Sequence, residues 1–181
     1  MEREIHMANR KLQSCSRYTG TVRNYTTFGR KLRHHLLQET HLLAEGTWQA
    51  GGCWTAAEAL RSWADGQLCL HVVEDWGIVQ HVTAGFYTMQ GWVHLDGDGM
   101  AHTDELLARM RRAERLKNPT VLPMAASGAR LDPDVRADPV VAALLTQSLN
   151  HTFGAFSFEK VLWGTNLLLP SSVFPSNPEP K

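Results

Sequence analysis

The chain has 181 residues, 43% hydrophobic and 20% charged, with 18 basic side chains balancing 18 acidic ones. That is enough apolar material for one sizeable core, and a formal charge of zero offers no global attraction to nucleic acid or anionic membrane. No stretch reaches the roughly 20 apolar residues of a spanning helix, so neither a nucleic acid nor a membrane is expected as a partner.

The charge is unevenly spread. Residues 1–40 carry eight Lys/Arg against three Asp/Glu, and the remainder carries ten against fifteen. A basic, partly irregular arm is expected over residues 1–26, lying in solvent or against the acidic body. Residues 27–170 are expected to form a single α+β domain, and 171–181 a disordered tail. The cysteines are Cys15, Cys53 and Cys69, an odd count without CxxC spacing, and the first residues have no apolar signal core. A reducing, cytoplasmic setting is the expectation from these features.

In chain order, Phe28, Leu32, Leu36, Leu37 and Leu43 recur at helical steps, which predicts a helix over 27–44 ended by Gly46. A short loop leads to a second helix over 53–64, with Cys53, Ala56, Ala57, Leu60 and Trp63 along one face. Strands are expected at 67–74, 78–86 and 87–95, with a turn at Asp75-Trp76-Gly77 and a bend or bulge at Gly91. Asp96-Gly97-Asp98-Gly99 ends the sheet in this reading. Thr103 then caps a helix whose first turn holds Asp104 and Glu105, and Asn118-Pro119 stops it. A further helix is expected over 139–149, and the apolar stretch 153–169 is expected to pack on the body.

Chemistry concentrates around Trp48-Gln49-Ala50-Gly51-Gly52-Cys53-Trp54. An isolated cysteine on an apolar helix face is ordinarily core, but Cys53 opens its helix. There the partial positive charge of unpaired amides favours a thiolate. The two glycines before it remove side chains that would block the sulfur, and backbone amides with the Gln49 side chain could serve an oxyanion. Trp48 and Trp54 flank the thiol and either wall a cleft or pack beneath the helix. His81 lies on a strand and Asp96 ends the next, so an antiparallel pairing would bring carboxylate to imidazole. A lone strand histidine, or an Asp before Gly, would mean little; the ordered trio carries more.

Residues 47–112 resemble the catalytic core of the transglutaminase-like branch of the papain-like cysteine enzymes. In that family the cysteine opens a helix, the histidine begins a strand, and an aspartate follows, often in a Gly-Trp-Val-x-Leu-Asp string. Here that string is Gly91-Trp92-Val93-His94-Leu95-Asp96, and the family separation is matched by the 15 residues between His81 and Asp96. The resemblance implies nucleophile, base and orienter roles for Cys53, His81 and Asp96 respectively. Gly52-Cys53-Trp54 is also similar to the cysteine motif of papain-type proteases, where an upstream glutamine supplies the oxyanion donor; Gln49 stands closer to Cys53 than that pattern has it. The layout is similar, too, to small proteins of bacteria and their phages.

The expected fold is therefore α+β with a papain-like, transglutaminase-like core: a nucleophile helix on a short antiparallel sheet with flanking helices. The expected activity is cysteine-dependent acyl transfer or amide hydrolysis, of protease, amidase, deamidase or transglutaminase type. It needs no cofactor or metal, and its substrate is a protein or peptide ahead of a small molecule. The alternative is a catalytically inactive fold of the same kind acting as a binding module or inhibitor, phage-encoded in one version.

Rival residues are Asp98 for the orienter and His71 or His94 for the base, and Cys69 reads as core. The acidic turn after Asp96 lacks the EF-hand ligand pattern. His34, His35 and His41 read as a polar helix face, and Arg109, Arg111, Arg112, Arg115 and Lys117 as solvated charges at a helix C-terminus.

Overall fold

Phe28, Leu32 and Leu36 fall at four-residue steps and are all buried on one side of α1, Tyr25–Gln38. The computed structural model describes residues 25–127 and 136–163, so nearly all of the expected basic arm, the tail 171–181 and the apolar stretch beyond 163 lie outside the described residues. The first helix stops short of 44. The Thr40 hydroxyl turns back onto the Leu36 and Leu37 carbonyls, and a 3-10 turn, Glu39–Leu42, leads the chain away. His35 is not on a polar face. It is buried, bonds Ser148 and meets Phe153 edge-on.

The second helix, α2, spans Cys53–Trp63 and buries Ala56, Ala57, Leu60 and Trp63. Five strands follow: β1, Cys69–Asp75; β2, Ile78–Thr88; β3, Gly91–Asp96; β4, Gly99–His102; and β5, Thr120–Pro123. They form one antiparallel sheet in the order β4-β3-β2-β1-β5. β4 and β5 were not expected. The acidic turn after Asp96 does not end the sheet; it folds β4 back on β3. Gly91 is the first residue of β3, at φ 108°, where its carbonyl takes the Thr88 hydroxyl. The chain is thus α+β with a five-stranded antiparallel sheet and several helices.

The two sheet faces differ. Val72, Val82, Ala84, Phe86, Val93, Leu95 and Met100 pack with α1, α2 and α4, Pro139–Phe153, in the larger core, which the short α5, Phe158–Trp163, also joins. On the other face, Val73 and Ala101 meet Leu106 and Met110 of α3, Thr103–Ala113. The N-cap of α3 is His102, one residue before the expected Thr103. The backbone N–H of His102 donates to the Glu105 carboxylate, and the Thr103 hydroxyl is bonded to His94. No helix among the described residues is long and apolar enough to cross a membrane. Cys69 is half-buried on β1 rather than fully in the core, and Cys53 is free.

One close approach sets α1 against β4. A side chain at Gly99 would place its Cβ 2.4 Å from the Gly29 carbonyl oxygen, and one at Gly29 would meet the Met100 backbone at 3.0 Å. Gly99 also sits at φ 107°, where other residues are strained. Gly99→Ala is expected to destabilise the fold by about 3 kcal/mol, read from the midpoint of urea unfolding at unchanged slope.

Candidate active site

The loop before α2 is closed by main-chain bonds: Thr47 and Ala50 exchange N–H···O contacts, and the Gly52 N–H donates to the Thr47 carbonyl at 3.0 Å. Gly51 holds φ 89°. A Cβ on Gly52 would lie 2.9 Å from the Thr47 oxygen, so only glycine lets the helix start this close to the loop. Cys53 is the first helical residue, and no side chain caps the N-terminus ahead of it. The thiol therefore stands beside unpaired amides.

His81 arrives from β2 by way of an irregularity. Val73 pairs with His81 while Glu74 pairs with Val79, leaving Gln80 as an extra residue. A bulge of this kind twists a strand and re-aims the next side chain. Asp96 is the last residue of β3, and the β2–β3 pairing brings the two together: His81 Nε2 and Asp96 Oδ2 are 3.1 Å apart, with each residue only 3% exposed. The other ring nitrogen, Nδ1, is buried and closes no aligned hydrogen bond. It is the nitrogen left for Cys53, whose half-buried thiol lies close enough for ring and sulfur to shift each other's protonation.

The electrostatics follow from burial and its compensation. Burial pushes the Cys53 thiol up, but His81 and the backbone N–H groups of Val82 and Trp54 outweigh it, and the thiol sits below its ordinary value. Burial pushes His81 down, but the carboxylate of Asp96 and the sulfur of Cys53 raise it well above the ordinary imidazole range. Asp96 is lowered despite complete burial, because His81, Arg109 and the Asp98 N–H all favour its charged form. All three shifts favour the charged forms of Cys53, His81 and Asp96.

The structure thus brings Cys53, His81 and Asp96 together, and it places the other expected site residues elsewhere. The Gln49 amide is not aimed at an oxyanion. Its nitrogen donates to the Gly97 carbonyl at 3.1 Å and the Asp98 carboxylate at 3.2 Å, tying the loop before Cys53 to the turn after Asp96. Gly97 fits under that loop only without a side chain, since its Cβ would lie 2.8 Å from the Cβ of Trp48. Trp48 is no cleft wall: it is fully buried, and its indole N–H donates to the Leu36 carbonyl. Trp54 is partly buried at the margin of the larger core, with its indole N–H unpaired. Asp98 binds Gln49 and Arg109 rather than His81.

His71 and His94 are not bases for Cys53. They meet edge-on, with ring centroids 5.1 Å apart, and His71 also packs against Trp92. His94 is bonded to the hydroxyls of Thr83 and Thr103. Among the described residues, no cluster of His, Cys, Asp and Glu is arranged to hold a metal ion.

One residue was missed. Arg109, read from sequence as a solvated charge, donates from Nη2 to Asp96 Oδ2 and places Nε 3.4 Å from Asp98 Oδ2. Its position three residues after Leu106 and one before Met110, both buried, was the available signal that it falls on the inner side of its helix. The chain matches no protein-family model, no curated protein and no solved structure.

The two inner histidines generate a stability prediction. Burial depresses His71 to about 4 and His94 to about 3, so below the ordinary imidazole value of about 6.5 the unfolded chain binds protons that the folded one refuses. Stability should therefore fall on acidification from pH 6.5 towards 4, by roughly 1.4 kcal/mol per pH unit for each histidine. Above pH 6.5, raised His81 works in the opposite sense and its contribution is lost with rising pH. Urea unfolding at pH 7, 6 and 5 should show this slope, and His71→Leu should reduce it by about half.

Proposed function

We propose that this protein is a cysteine-dependent acyl transferase or amide hydrolase built on a papain-like, transglutaminase-like core. The observation that carries the reading is the buried His81–Asp96 contact at 3.1 Å, with a free cysteine at a helix start facing the other side of the imidazole. In the proposed reaction the Cys53 thiolate attacks an amide carbonyl. The carbonyl oxygen becomes an oxyanion, for which the uncapped main-chain N–H groups opening α2 are the available donors. As the tetrahedral intermediate collapses, the His81 imidazolium gives its proton to the departing amine, leaving a thioester on Cys53. Neutral His81 then takes a proton from water or from an acceptor amine. The incoming group attacks the thioester, and the thiolate and imidazolium are restored. Asp96 stays ionised throughout and holds the imidazole tautomer through Nε2.

A protein or peptide substrate fits this reading better than a small molecule. The sulfur lies at the start of a partly exposed helix, where an extended chain segment can approach it. A side-chain or main-chain amide presented on a flexible segment is the simplest group able to reach it. Support for a noncatalytic binding module comes from one feature, the absence of an aligned hydrogen bond at His81 Nδ1. Such bonds are often open before substrate binds, and the acyl-transfer reading accounts for more of the site.

The test is the rate of iodoacetamide labelling against pH, without reductant. Cys53 should label at pH 6 at least about tenfold faster than a free thiol of ordinary pKa, because the thiolate persists there. His81→Ala should slow labelling by about tenfold below pH 7 and move the midpoint up towards that of a free thiol, with Cys53→Ala as the blank. A midpoint at the free-thiol value that ignores His81 would remove the enzyme reading and leave the binding module.

A further inference from the structure

Asp96 Oδ2 accepts from two cationic donors, His81 Nε2 and Arg109 Nη2. The other carboxylate oxygen, Oδ1, takes the Asp98 backbone N–H at 2.9 Å. The turn itself is pinned by Gln49 on Gly97 and Asp98. The main chain thus holds the carboxylate in place without Arg109, and what Arg109 adds at this point is positive charge. It enters from α3, where Leu106 and Met110 anchor its helix against the sheet.

We propose that Arg109 is a positioning residue that sets the strength of the acid–base pair, by taking a share of the one Asp96 oxygen that His81 depends on. The proposal rests on the reading of Cys53, His81 and Asp96 as the reacting group. A carboxylate given wholly to the imidazole would hold its proton too firmly for transfer to a departing amine, since a general acid works best when its pKa is near the working pH. Arg109 counters that excess. Asp98 in turn restrains Arg109, with Oδ2 at 3.4 Å from its Nε, while Arg33 approaches Asp98 Oδ1 at 3.8 Å.

The groups able to influence His81 come from each element packed on it. α2 supplies Cys53, β3 supplies Asp96 and the neutral His94, α3 supplies Arg109, and the β3–β4 turn supplies Asp98. On β1 the cross-strand partner Val73 is apolar, His71 two residues before it shares the face and is held neutral by burial, and the neighbouring Glu74 is bonded to the Ser127 hydroxyl. Arg109 is the cation of this set that touches the carboxylate bonded to His81.

The test follows the imidazole of His81 by NMR in the full-length Cys53→Ala chain, where no thiol titrates beside it, with the signal assigned by its loss in His81→Gln. Adding Arg109→Gln, which removes the charge but keeps an amide donor, should raise the His81 midpoint by on the order of one pH unit. Arg109→Lys should stay near the parent value. An unchanged or lowered midpoint in Arg109→Gln overturns the proposal, as does an Arg109→Lys value that matches it. Should Arg109→Gln not fold, Asp98→Asn takes its place: it leaves Arg109 to Asp96 alone and should lower the midpoint, and a rise or no change overturns the proposal. Cys53 labelling in the unsubstituted chain, which tests the underlying reading, does not enter this measurement, so the two failures are told apart.

Discussion

A carboxylate with 3% of its surface exposed stays charged only if its surroundings replace the water it has lost. That requirement at Asp96 organises the site. Its donors come from β2 in His81, from α3 in Arg109 and from the backbone of its own turn at Asp98. Each fixes the position of a different part of the fold against the end of β3. Removing one partner of such a buried cluster costs about 3–5 kcal/mol, because the charge that remains has nowhere to turn. The β2–β3 register, the tight acidic turn and the docking of α3 on the sheet are thus coupled through a single side chain.

The contrast among the histidines shows how strongly that anion acts. His71, His81 and His94 are all nearly inaccessible and lie on one face of the sheet, on β1, β2 and β3 respectively. Burial, the largest cause for both, carries His71 down to about 4 and, with nearby cationic groups, His94 to about 3. His81 suffers the same loss of water and moves the other way, because a carboxylate lies on one side of its ring and a sulfur on the other. One sheet face thus holds, on three adjacent strands, two imidazoles whose protonation is disfavoured and one in which it is favoured. The difference lies in what each ring touches.

Periodicity made the larger elements legible. Apolar steps of three and four marked α1, α2 and α3, and the Gly-Gly-Cys and Leu-Asp-Gly strings placed Cys53 at a helix start and Asp96 at a strand end. What was not legible depends on tertiary contact. Gly99–His102 and Thr120–Pro123 are too short to show alternation and are strands only because β3 and β1 offer them a ladder. Gln49 sits where an oxyanion donor was expected, but the distance from it to the Asp96 turn cannot be read along the chain. Arg109 was grouped with its basic neighbours on the helix. A charge on the inner side of an amphipathic helix asks for a buried partner, and Asp96 is thirteen residues away. The bulge at Gln80 likewise leaves no mark in composition, although it sets the approach of His81.

These placements also narrow the proposed chemistry. Asp96 and His81 are almost fully covered, and Cys53 is half-buried at the mouth of α2. A substrate can therefore meet the sulfur, while the carboxylate reaches it only through the imidazole. With Gln49 held by Gly97 and Asp98, the donors left beside the sulfur are main-chain amides, whose direction is set by the helix and not by a rotamer. A site of that kind stabilises charge at the sulfur and at any oxyanion next to it through the same helix terminus. In the proposed reaction the thiolate and the oxyanion would draw on one set of dipoles in turn, the negative charge passing from sulfur to oxygen without the protein having to reorganise.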